Sequence, residues 1–81
     1  MANGSVPLLD LRAGEEATVI ALDGGRGCTA RLAALGFTPG VAVTVVRNPG
    51  YGPIIVSLLD TQIALGRGQA MGVHVRPQFR R

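Results

Sequence analysis

Short apolar or alternating runs, separated by turn residues, mark five segments of this chain as strand. Glu16 to Leu22 is a β-branched run closed by Asp23-Gly24-Gly25, which predicts a first strand. From Val41 to Val46 the pattern alternates, with Val41, Val43 and Val45 on one face and Ala42, Thr44 and Val46 on the other, as a pleated strand with one buried face requires. Ile54 to Leu59 is a further apolar run, preceded by the turn-rich segment Asn48-Pro49-Gly50-Tyr51-Gly52-Pro53, so these two strands are expected to form a hairpin. Asp60-Thr61 reads as a two-residue link into a strand over Gln62 to Leu65, although Asp-Gly is the stronger turn former. Gly66 to Ala70 interrupts the pattern, as a single 3₁₀ turn would. Val73 to Arg76 alternates as a last strand, which Pro77 ends because it cannot donate to a ladder.

Only between Arg26 and Leu35 does the period change. Cys28, Leu32 and Leu35 fall on one helical face, and Ala30, Ala33 and Ala34 favour helix. Gly36 can take the left-handed conformation that stops a helix, leaving Phe37 to pack back on it. Thr38-Pro39-Gly40 then predicts a type II turn, with proline presetting the first central angle and glycine accepting the positive one. At the start, Pro7 to Leu11 forms a short apolar anchor ended by a turn at Arg12-Ala13-Gly14.

Five strands and one short helix with tight links predict a mainly β fold, a small SH3-like, partly open barrel. The helix lies between strands one and two and plugs one end by burying Leu32 and Leu35. Residues 7–76 form the expected domain, with 1–6 and 77–81 as terminal tails. Eighty-one residues leave no room for a second domain. Aromatics are limited to Phe37, Tyr51 and Phe79, so the core must be aliphatic.

Composition then narrows the chemistry. Cys28 is the single cysteine, which excludes an internal disulfide and a multi-cysteine zinc cluster and fits a reducing cytoplasm. On the apolar side of the helix it reads as a small buried hydrophobe. No run approaches a membrane span, and Met1 to Pro7 lacks the features of a secretory signal. The charge of +3 comes from eight arginines against five acids. These arginines are dispersed, and Tyr51 alone does not make the stacking platform of a nucleic-acid binder. A small RNA-binding barrel is therefore the weakest of the readings considered.

Enzymatic work needs a nucleophile near a base, or paired carboxylates. His74 is the sole histidine and points away from the core between Val73 and Val75, while Asp10, Asp23 and Asp60 lie in or beside turns and Glu15 and Glu16 adjoin near a strand start. Neither Gly24-Gly25-Arg26-Gly27 nor Gly66-Arg67-Gly68 carries a phosphate-binding fingerprint. The expectation is a non-catalytic protein that needs no cofactor. His74 is the candidate for Fe²⁺ or Zn²⁺ at a surface site, including one shared between copies.

The run Arg31-Leu32-Ala33-Ala34-Leu35-Gly36-Phe37-Thr38-Pro39-Gly40 resembles the Arg-Leu-x-x-Leu-Gly-x-x-Pro-Gly segment of the FeoA family. Leu8 to Gly14, Gly52-Pro53-Ile54, Ile63 to Ala70 and Val73-His74-Val75 resemble other parts of the family in order, so the likeness spans about residues 7 to 76. It departs at Asp60-Thr61, where members often carry glycine. The resemblance gives Leu32, Leu35, Gly36, Pro39 and Gly40 structural roles in the motif. It implies a cytosolic SH3-like accessory protein of bacterial ferrous-iron uptake that binds the cytoplasmic GTP-binding region of the FeoB transporter and modulates its assembly or GTPase activity. A metal-sensing domain that binds iron or zinc directly is the alternative. The family also resembles the small barrel at the end of metal-dependent repressors of the diphtheria-toxin regulator type. Tyr51 is the leading residue for partner contact, because aromatics are enriched at interfaces, with Pro49, Pro53, Arg31 and Arg67 beside it. Homo-oligomers through β-pairing are compatible with the exposed hairpin.

Overall fold

Alternate burial of β-branched residues builds a single curved sheet. In this computed structural model, which describes residues 4–78, the strands are β1 (Val6–Pro7), β2 (Glu16–Leu22), β3 (Ala42–Arg47), β4 (Ile54–Leu58), β5 (Thr61–Leu65) and β6 (Val73–Pro77). They are ordered β1-β6-β2-β3-β4-β5, every neighbouring pair antiparallel. Helix α1 (Arg26–Leu35) links β2 to β3, α2 (Arg67–Met71) links β5 to β6, and a 3₁₀ turn at Leu8–Asp10 follows β1. Bulges at Ile20, opposite β6, and at Val46, opposite β4, bend the sheet, since an extra residue on one strand raises the local twist.

The concave face holds the core. Val43 and Val45 of β3, Ile54, Val56 and Leu58 of β4, and Val73 and Val75 of β6 are buried, as the alternation requires. Leu8 and Leu11 around the 3₁₀ turn and Ala70 of α2 join the same cluster. Thr38, Pro39 and Gly40 form the expected turn: the Val41 amide donates to the Thr38 carbonyl at 3.1 Å, with Gly40 at φ 96°.

Helix α1 ends at Gly36, whose φ of 109° lets its amide donate to Ala33 O at 3.0 Å while the next amide, Phe37, donates to Leu32 O at 3.1 Å. That pair of bonds is a Schellman closure. It carries Phe37 into the core, fully buried. Here one expectation fails: Leu32 is buried, but Leu35 is 40% exposed. The chain reversal at Gly36 delivers Phe37, and Phe37 rather than Leu35 fills the core beside Leu32.

Four further details differ from the sequence reading. Among the described residues there are six strands, not five, because Val6 and Pro7 pair with Val75 and His74; two residues including a proline carry no alternation to detect. Pairing also reaches Pro77, and the Gln78 amide donates to Glu16 O at 2.9 Å, so strand contacts extend past both expected domain limits. Residues 79–81 of the expected tail, including Phe79, lie outside the described residues. The link between β4 and β5 is Leu59-Asp60, not Asp60-Thr61, with Leu58 opposite Thr61 and buried Ile54 opposite buried Leu65. A link one residue later would leave Ile54 facing Arg67. Finally, Arg67–Met71 is a turn of α-helix instead of a 3₁₀ turn, its first free amide, Gly66, donating to Gln69 Oε1 at 3.1 Å.

Candidate partner-binding face

Two side chains hold the loop between β3 and β4. Asn48 donates from Nδ2 to Leu9 O at 3.0 Å and to Leu11 O at 2.7 Å, and so ties the loop to the 3₁₀ turn and the residue after it, 39 and 37 residues earlier in the chain. Its Oδ1 accepts from the Gly50 amide at 3.4 Å and from Arg67 Nη1 at 3.2 Å. Arg67 Nη1 also reaches Gly52 O at 3.4 Å. Loop, 3₁₀ turn and α2 are thereby joined through a single amide, which suits asparagine because it offers two donors and an acceptor together.

What this frame presents is Tyr51. It is 73% exposed, and Gly50 and Gly52 on either side have φ of 97° and 69°. Pro49 and Pro53 are exposed in the same loop. The loop itself is uncharged, with the half-buried Arg67 beside it as the nearest cation fixed by hydrogen bonds. Such a surface combines an aromatic of large apolar area and a polar tip with little freedom to lose on contact.

The structure thus brings together four of the sequence-derived partner residues, Pro49, Tyr51, Pro53 and Arg67, and gives Arg67 an internal role. Arg31 stands elsewhere, exposed on α1 at a shallow depression of about 400 Å³ with Gly27, Cys28 and Gln69. Asn48 was not singled out from the sequence. The available signal was an asparagine at a strand end before Pro-Gly, which reads equally well as an ordinary turn residue.

His74 is half-buried on β6, with Nε2 3.6 Å from Asp23 Oδ2. Among the described residues, no group of three or more His, Cys, Asp or Glu side chains gathers to hold a metal ion. Two donors fall short of the four ligands of a structural zinc site, so these residues alone do not fit a resident metal. Cys28 is half-buried and free. Among the described residues no helix is long and apolar enough to cross a membrane.

Known proteins share this fold. The chain is 41% identical over 69 residues to a Methanocaldococcus jannaschii protein provisionally named Fe(2+) transport protein A, a match spanning 85% of this chain and 83% of that one. A crystal structure of an iron uptake regulatory protein, FeoA, superposes with a TM-score of 0.86 at 34% identity, covering 91% of this chain and 99% of the other. FeoA of Stenotrophomonas maltophilia, solved with zinc and described as a prokaryotic SH3-domain protein, superposes with a TM-score of 0.75 at 29% identity over 84% of this chain and 86% of its own. The SH3-like architecture expected from the sequence is therefore the observed one. The FeoA domain family model matches residues 6–77, nearly the whole of the described chain, and this protein belongs to that family.

Proposed function

We propose that this protein is a non-catalytic accessory of ferrous-iron transport that docks on the cytoplasmic GTP-binding region of a FeoB-type transporter through the face around Tyr51, and so modulates the transporter's assembly or GTPase activity. Family membership and the transport name of the Methanocaldococcus jannaschii relative support the iron-transport part. The observation that carries the docking part is the exposed tyrosine on a loop whose two sides are held by Asn48 and Arg67. A large apolar side chain set outward on a braced loop is costly to leave in water and inexpensive to immobilise against a partner.

The test is capture of the transporter's cytosolic part by the full chain and by Tyr51→Ala. Binding by the unaltered chain with affinity reduced by roughly 30-fold in the variant, the size of an interface hot spot, is the expected result. Absence of capture by the unaltered chain would refute the docking reading, and equal capture by both would move the contact away from Tyr51.

A further inference from the structure

The last strand of the sheet offers a second surface, which meets the Tyr51 face only at Arg67. Among the described residues, strand β5 is hydrogen-bonded to β4 alone. Because Leu59-Asp60 is a two-residue turn, Leu58 and Thr61 form its closing, hydrogen-bonded pair. Thr61, Ile63 and Leu65 therefore direct their backbone groups toward β4, while Gln62 and Ala64 direct their N–H and C=O outward. Natural sheets usually protect such an edge with lysine, proline, a bulge or a very short strand. The opposite edge obeys that rule, since β1 has two residues and one is Pro7. Strand β5 does not: Thr61-Gln62-Ile63-Ala64-Leu65 has no charge and no proline, and it pairs with β4 residue for residue without a bulge. Ile63 is left only half-buried, although it lies opposite the fully buried Val56.

We propose that the free edge of β5 is a self-association surface, on which a second copy of this chain adds its own β5 antiparallel, centred on Ile63. That register sets Gln62 of each copy against Ala64 of the other, so that their outward backbone groups exchange hydrogen bonds and a long side chain lies beside a short one. Ile63 meets Ile63 of the other copy in a non-hydrogen-bonded pair, where side chains approach most closely and β-branched partners are favoured. The same register carries Asp60 of each copy to the Gly66-Arg67 corner of the other, an opposite-charge approach on both sides of the two-fold axis. An uncharged strand meets no like charge when it is copied. One strand pair is a small interface, so the association belongs to the weak, concentration-dependent class.

Sedimentation equilibrium of the full chain at concentrations up to about 1 mM is expected to show an average mass rising toward twice that of the monomer. The double variant Gln62→Lys/Ala64→Lys, both at exposed positions, sets like charges opposite each other and is expected to weaken dimerisation by about tenfold or more. Amide exchange followed by NMR on the unaltered protein tests the register without relying on a variant's folding. Gln62 and Ala64 amides should become protected as concentration rises, while the Ile63 amide, already bonded to β4, should not respond. A chain that stays monomeric, a double variant that dimerises as well as the unaltered chain, or exchange at Gln62 and Ala64 indifferent to concentration would each overturn the proposal. Protection of those two amides only on adding the transporter's cytosolic part would also overturn it, and would make the edge a site for a transporter strand.

Discussion

Asn48 shows how one side chain can carry more structural consequence than its place in a turn suggests. Its amide satisfies the Leu9 and Leu11 carbonyls and anchors Arg67. In Asn48→Ala those carbonyls lose this partner in a partly buried setting, and the guanidinium keeps only its bond to Gly52 O. Loss of about 2 kcal/mol of stability is expected, since stranding such groups costs roughly 1–3 kcal/mol, and urea unfolding with an unchanged slope would measure it. The variant should also leave the Tyr51 loop less ordered, and so weaken transporter capture even though Tyr51 itself is intact. Position 48 reads as loop because the sequence contains nothing to say that its amide reaches back 37 residues to Leu11. The exposure of Tyr51 was legible for a simpler reason: an aromatic among prolines and glycines has little apolar company near it along the chain.

At the scale of elements, the legible parts are those whose signals are local. The Gly36 stop, the Thr38 to Val41 turn, the alternation of β3 and β6 and the apolar run of β4 rest on neighbouring residues and are found within a residue of where the pattern places them. The parts that escaped depend on distant pairing. Strand β1 exists only because β6 is beside it, Leu35 is released by a reversal that brings in Phe37, and the hairpin shifted by a residue to keep Ile54 against Leu65. That last shift has a local cost. Leu59 and Asp60 both take positive φ, 51° and 64°, and Leu59 is 69% exposed. Asn-Gly is the favoured sequence for two central residues of positive φ. Replacing the pair by Leu59→Asn/Asp60→Gly is expected to stabilise the protein by about 1 kcal/mol, because it relieves the strain of a leucine in the left-handed region. A higher urea midpoint would show this, and a lower one would mean that Leu59 contributes more packing than its exposure implies.

For the molecule as a whole, the sheet, the 3₁₀ turn and α2 share one core, and small domains of this kind have a narrow margin of stability. Segments far apart along the chain supply that core: Leu8 near the beginning, Phe37 in the middle and Val75 near the end. The pairing of Val6 with Val75 and of Pro7 with His74 closes almost the full described length into a loop. By contrast, β4 and β5 are joined by only two residues. Loop-closure entropy rises with the logarithm of length, by about 0.6 kcal/mol for each doubling, so the β4–β5 hairpin is expected to form early and β1–β6 late. Pulse-labelled amide exchange during refolding should protect Val56 and Ile63 before Val75; simultaneous protection would contradict this order. During synthesis the same geometry imposes a wait: β1 leaves the ribosome ahead of the other five strands yet has none to join until β6, the last of the six to be made, is free of the exit tunnel.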